Sequence, residues 1–375
     1  MKHLLFLSLI LFAASTLADT PPDAKTSSQE KPQVEVVFVL DSTGSMGGLI
    51  EGAKQTIWAI ANEIIQQEPT PEVRMGLLTY RDRGDEYVTK MFNITDDIDA
   101  IYGHLRTIRA AGGGDGPESV NQALDEAVNQ MEWSLKEQNT YRVIFLVGDF
   151  PPHMDYQDDV KYPVTCEKAA TNGIIINTIQ CGSESTCTPI WKDIARRSEG
   201  EFVQMAQEGN VRVLETPFDK EIAEETTKLN ATVIRYGSAR QRAEVDDKLI
   251  VQGAMGAAMN ASRSAFNMGT GGRAIQGRGD LLYDANLDAK LLEKEEELPE
   301  ELQKMSVEDR EKFIKEKQEE RDAINKKIGE LSAKRTEWLK TEGEKKRLEV
   351  AKNAPSFDKS VSEMIQRQMG KMTGK

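Results

Sequence analysis

Apolar and polar positions change texture in a regular order along the first two thirds of the chain. Val34 to Leu40 (Val-Glu-Val-Val-Phe-Val-Leu) is a nearly continuous β-branched run, the pattern of a strand covered on both faces. Leu49 to Gln67 then carries Ile50, Ala53, Ile57, Ile60 and Ile64 at helical spacing. Strands follow at Val73 to Tyr80, introduced by Pro69 and Pro71, and at Tyr87 to Phe92, a shorter edge-type run. A helix over Asp96 to Ala110, capped by Thr95, ends before the break Gly112-Gly113-Gly114. The alternation continues with a helix over Glu118 to Glu132, a strand over Tyr141 to Val147, and a helix over Val160 to Asn172 that stops at Gly173. Ile174 to Ile179, Pro189 to Ser198 and Glu201 to Met205 read as strand, helix and strand. Strands alternating with helices predict an α/β domain over 33–208: a doubly wound, mostly parallel sheet flanked by helices, Rossmann-like in plan.

The texture changes after Glu208. Residues 209–281 read as a helical and Gly/Ala-rich connector, with a helix over Phe218 to Val233 and a linker or loose packing segment over Gly253 to Gly279. Gly269-Thr270-Gly271-Gly272 lacks the Lys-Ser/Thr ending of a phosphate-binding loop. Residues 282–375 form a charged α-helical extension. Phe313, Ile324, Ile328, Leu331 and Trp338 give it an apolar stripe, which fits a helical hairpin or short coiled coil and equally a solvated helix docked on its own domain. Val361 to Met369 is one more amphipathic piece.

Composition changes this picture at three points. Met1-Lys2-His3, the apolar run Leu4 to Ala14 and the small residues up to Ala18 read as a signal peptide over 1–18, cleaved after Ala18, with a flexible tether over 19–32. The expected location is therefore secreted, periplasmic or extracellular, with no transmembrane span once the signal is removed. The net charge of -14, without a basic stripe, argues against nucleic acid as a partner. Three cysteines leave an odd thiol in an oxidising compartment. Cys181 with Cys187 is the preferred disulfide and Cys166 with Cys181 the alternative.

Ligands of open α/β sheets bind at the carboxyl ends of the strands. The first strand runs straight into Asp41-Ser42-Thr43-Gly44-Ser45-Met46. Alternation on a tight loop can turn the Asp41 carboxylate and the Thr43 and Ser45 hydroxyls toward one point, and such hard oxygen donors suit Mg²⁺, with Mn²⁺ or Ca²⁺ as alternatives. This Asp-x-Thr-x-Ser motif resembles the metal-ion-dependent adhesion site (MIDAS) of von Willebrand factor type A (VWA) domains, as found in exported bacterial proteins among others. The resemblance covers roughly residues 33 to 205. It implies that Asp41, Thr43 and Ser45 are metal ligands. It also implies a ligand from the loop Gly112 to Glu118, where Asp115 stands in place of the usual Thr, and a last one at Asp149 after the strand Tyr141 to Val147. With Asp115 as a direct ligand, three carboxylates surround the ion, which disfavours an acidic partner; the alternative is that Asp115 acts on the ion through a water. Arg81, Asp82 and His153 lie near the same edge and are partner-contact candidates. Arg81 and Asp82 could equally pair with each other, and a lone His such as His153 is more often a hydrogen-bonded structural residue.

Three functions follow as expectations. The first is an exported, divalent-cation-dependent protein-binding module that recognises another envelope or extracellular protein. The second is a metal-dependent, phosphatase-like hydrolase, although no Gly-x-Ser-x-Gly elbow or Ser/His/Asp set is legible and the expectation is of a non-enzyme. The third is an envelope scaffold or assembly factor that acts, and self-associates, through its C-terminal helices.

Overall fold

A computed structural model describes residues 31–372 apart from 115, 136–138, 212, 344 and 346–354. The leader and all but the last residues of the tether lie outside this range. Six strands, β1 (Gln33–Asp41), β2 (Glu72–Tyr80), β3 (Thr89–Thr95), β4 (Thr140–Gly148), β5 (Ile174–Cys181) and β6 (Phe202–Met205), form one sheet in the order β3-β2-β1-β4-β5-β6. Neighbours pair in parallel except β2 with β3, the antiparallel edge. The doubly wound, mostly parallel sheet expected from the alternation is present.

The helices are α1 (Gly47–Ile65), α2 (Ile98–Thr107), α3 (Val120–Asn129), α4 (Tyr162–Thr171), α5 (Cys187–Arg197), α6 (Asp219–Ala231), α7 (Ala239–Gly253), α8 (Ala257–Gly269), α9 (Leu281–Leu287), α10 (Glu300–Gln303), α11 (Val307–Trp338) and α12 (Phe357–Met372). The central strands are apolar on both sides because both faces of the sheet are covered. Val34, Val36, Phe38 and Leu40 of β1 enter a core shared with α1, α2 and α12, whereas Val37 and Val39 enter the core under α3, α4 and α5. Local chemistry moves some boundaries. α2 begins two residues later than expected because Asp97, not Thr95, is its cap, accepting the Ala100 N–H at 3.1 Å.

The C-terminal part is docked on its own chain. Phe357, Val361, Met364 and Ile365 of α12 are buried in the first core, and Phe38 stacks on Phe145 at 5.8 Å and lies 6.1 Å from Phe357. Asn177 of β5 and Gln368 exchange amide hydrogen bonds of 3.0 and 2.8 Å, and the Tyr141 hydroxyl also donates to Gln368. The last helix over the sheet thus comes from the far end of the chain. The segment read as a linker or loose packing segment over Gly253 to Gly279 instead holds α8. Its Phe266 lies 5.8 Å from Trp58 of α1, and its Arg263 pairs with buried Asp99 of α2 at 2.6 Å. Its small residues Ala258, Ala261 and Ser262 are buried, so the low hydrophobicity that suggested a linker reflects close packing. α11 lays one face on α6 and α8. Buried Arg335 reaches Asp219 at 2.7 Å, and Arg321 binds Asp280 and the Thr232 carbonyl. Of the two readings of this helix, docking on its own chain is the arrangement seen. Among the described residues no helix is long and apolar enough to cross a membrane.

Candidate metal centre

The register of the sheet brings β1, β2 and β4 to a common edge, with Asp41 beside Tyr80 and Leu40 beside Val147. Asp41, the last residue of β1, is fully buried. Its Oδ1 accepts the Thr43 N–H at 2.8 Å and the Thr43 hydroxyl at 2.6 Å, while Ser45 Oγ lies 3.3 Å from Thr43 Oγ1. The other oxygen, Oδ2, has no hydrogen-bond partner. Asp149, one residue past β4, accepts from Gln207 Nε2 at 2.8 Å through Oδ2 and leaves buried Oδ1 without a donor. Glu118 is 2 % exposed, and its Oε2 is a third carboxylate oxygen without a partner.

Two glycines make this crowding possible. A Cβ on Gly148 would stand 2.5 Å from the Tyr80 hydroxyl and 3.2 Å from Asp41 Oδ2, so only glycine lets β4 pass this close to the carboxylate. Gly113 has φ +79°, and a Cβ there would lie 3.2 Å from Thr43 Cβ and 3.3 Å from Glu118 Oε1.

The electrostatics follow from burial of like charges. Burial first, and then Asp149 beside it, raise the Asp41 carboxyl to about 7. Burial, followed by the charges of Asp41, Asp82 and Asp149, pushes Glu118 to about 9. Buried acceptors without donors are costly unless a proton or a cation satisfies them. Three such oxygens beside two hydroxyls, with no sulfur or imidazole among them, fit a hard divalent cation. Among the described residues no three His, Cys, Asp or Glu side chains form a preassembled cluster. The arrangement is instead a mixed one, two aspartates and two hydroxyls with Glu118 behind them.

Asp41, Thr43, Ser45 and Asp149 are thus brought together. Asp115 lies outside the described residues. Glu118, expected to open a helix, instead bridges to the loop after β4: its N–H donates to the Pro151 carbonyl at 3.0 Å, and its own carbonyl accepts from His153 N–H at 3.1 Å. That pairing turns the side chain inward and delays α3 to Val120. Sequence reasoning missed Glu118 because a helix start accounted for it, and missed Gln207 because nothing in its surroundings marks it.

Arg81, Asp82 and His153 are 4, 5 and 6 % exposed, so they brace the loops from beneath instead of presenting a contact surface. Arg81 donates to the carbonyls of Ser42 at 3.2 Å and Arg109 at 2.8 Å. Asp82 accepts from Ser119 Oγ at 2.8 Å and from the Tyr156 hydroxyl at 2.9 Å, and His153 stacks on Tyr156 at 4.1 Å. The expected disulfide is not formed: Cys166, Cys181 and Cys187 are free and buried. Cys181 belongs to the core on one face of the sheet and Cys187 and Cys166 to the core on the other.

The von Willebrand factor A domain family model matches residues 35–215. An ariadne-like RING finger protein of Acanthamoeba polyphaga mimivirus is 28% identical over 122 residues, 32% of this chain and 11% of that protein. The human von Willebrand factor A domain-containing protein 7 is 32% identical over 144 residues, 32% of this chain and 15% of that protein. The chain therefore spans under a fifth of the length of these curated relatives. Among solved structures, protein BatB from Bacteroides thetaiotaomicron aligns at 16% identity with a TM-score of 0.35, covering 46% of this chain and 90% of that one.

Proposed function

We propose that this protein is a divalent-cation-dependent protein-binding module, built on the stretch 35–215 that the von Willebrand factor A domain model matches. The observation that supports this most directly is the trio of donorless carboxylate oxygens on Asp41, Asp149 and Glu118 at one sheet edge. In this reading Asp41, Thr43, Ser45 and Asp149 hold the ion, Mg²⁺ first and Mn²⁺ or Ca²⁺ as alternatives. Mg²⁺ keeps several of its waters, and Glu118 is placed to accept from them. A bound cation would neutralise the buried carboxylates and offer a remaining position to an oxygen of the partner.

The protein's own residues do the rest. Thr43 fixes Asp41 through two hydrogen bonds, Gln207 fixes Asp149, and Asp82 with Tyr156 locks the two outer loops together. The leader read in Met1 to Ala18 supports action in the periplasm or outside the cell, and N-terminal sequencing of the mature protein tests that part. The decisive experiment is capture of partners from an envelope extract by the mature chain with Mg²⁺, with chelator, and by an Asp41→Ala variant. A partner retained only in the first condition is expected; a partner set indifferent to all three rejects the proposal.

A further inference from the structure

We propose that this edge selects a basic protein segment, one that approaches with lysine or arginine side chains between apolar residues and gives the ion a neutral oxygen, not a carboxylate. The inference rests on the cation reading above and adds the chemistry of the partner. Asp41, Asp149 and Glu118 are 0, 4 and 2 % exposed, and each keeps one oxygen without a donor. Asp41 and Asp149 alone match the charge of a divalent ion, with the Glu118 side chain beside them, so the loaded centre keeps no positive charge to draw in another carboxylate. A carboxylate brought by a partner would add uncompensated negative charge in a poorly solvated place.

The rim is acidic, even though Glu86 lies 3.5 Å from Arg81, Asp155 2.8 Å from His153 and Asp158 2.9 Å from Arg83. The side chains of Glu86, Asp155 and Asp158 are 72, 73 and 74 % exposed. Glu208 is exposed beside the start of α1, 3.1 Å from the position of a Cβ on Gly48. Cations at this edge are already engaged. Arg81 points inward, and Arg83 is held by Asp158 at 2.9 Å and Asp159 at 2.6 Å, over the Tyr156 ring. Lys90 lies over the Tyr87 ring at 3.8 Å, and Arg109 donates to the carbonyls of Arg106 and Ile108. Next to this acidic rim stand exposed Met154, Val160 and Val164 at 46, 43 and 59 %. Asn121 donates to the Met154 sulfur at 3.8 Å and accepts the Tyr162 N–H at 2.9 Å, which brings Met154 close to the start of α4, where Val160 and Val164 flank Tyr162. Acidic groups flanking an apolar patch complement a basic amphipathic segment.

The test uses the full mature chain with Mg²⁺ and two labelled peptides of equal length, one alternating Lys and Leu, the other Glu and Leu, followed by fluorescence anisotropy. The lysine peptide is expected to bind, with affinity falling as salt rises, and the glutamate peptide to bind at least about tenfold more weakly. A Glu86→Lys/Asp155→Lys/Glu208→Lys variant should lose about tenfold or more for the lysine peptide. The same number of reversals on the outer face of α11, Glu311→Lys/Glu316→Lys/Glu319→Lys, should cost less than about threefold. A neutral Glu86→Gln/Asp155→Asn/Glu208→Gln set gives an intermediate loss and guards against misfolding. Tighter binding of the glutamate peptide, or equal losses in the rim and α11 sets, overturns the inference. Mg²⁺ calorimetry on the same samples separates the two readings. Uptake without rim dependence rejects the basic partner alone. Rim dependence without uptake rejects the cation alone.

Discussion

Asp41 is the residue on which burial, charge and ligation meet. Its carboxyl is raised to about 7 by burial and by Asp149. A carboxyl raised in the folded state contributes stability that is fully present below its unfolded value, near 3.9, and lost as the pH climbs through about 7. The metal-free protein at pH 8 therefore carries a destabilising buried charge. Asp41→Asn keeps an oxygen for Thr43 and removes that charge. In chelator at pH 8 the variant should melt above the parent by about 2–6 °C. It should also lose the rise that Mg²⁺ gives the parent, about 2.7 kcal/mol at a hundredfold excess over Kd. Thermal unfolding of both proteins with Mg²⁺ and with chelator reads both effects, and a variant that melts lower in chelator contradicts the account. At this scale the positions of Asp41, Thr43, Ser45 and Asp149 were legible because each follows an apolar strand whose end can be read. Glu118 was not, since its inward turn depends on a bridge to Pro152, distant in sequence.

At the level of elements, each core strand and its neighbours could be read from periodicity, whereas the docking of α8 and α12 could not. Small residues weaken the helical signal of α8 while allowing its close approach to α1. The amphipathic stripe of α12 says that a face is buried but not against what. Two predictions belong here. Phe357→Ala removes a ring packed against Phe38 and should cost about 3–5 kcal/mol, measured by urea unfolding; a cost under about 1 kcal/mol would mean that α12 does not seal the sheet. The Asp99–Arg263 pair ties α2 to α8. Burial alone would raise the Asp99 carboxyl, but the adjacent Arg263 charge and its hydrogen bonds outweigh burial and hold it below the ordinary value. Its stabilisation is present above the unfolded value and lost as pH falls through the lower folded one. Arg263→Leu should cost about 3–5 kcal/mol at pH 7, with the difference from the parent shrinking toward the acid end. Urea midpoints across pH follow this directly, and a constant difference down to the acid limit would refute the pairing.

For the whole molecule, the family match ends at residue 215, but the sheet it describes is completed by residues from 357 onward. The two ends of the long helical excursion are adjacent, since Phe357 N–H donates to the Gly209 carbonyl at 2.9 Å and Asn210 Nδ2 to Pro355. A chain in which a short Gly/Ser linker joins residue 209 to residue 356, omitting the excursion, should fold with its sheet intact and still take up Mg²⁺, at reduced stability because Phe266 and Arg263 are lost. A fragment that simply ends at residue 215 should instead expose the first core and aggregate. Circular dichroism and size-exclusion chromatography distinguish the two. Composition carried the division into an α/β part and a charged helical part, but nothing local in sequence could disclose that the second part returns to finish the first.

That return also sets a timetable. Asn177 and Gln368 are 191 residues apart, and at about 5–20 residues per second of synthesis the strand waits roughly 10–40 s for its cover. Through that interval the nascent chain presents an oily, half-dressed sheet, open to sticking to its neighbours until the last helix arrives.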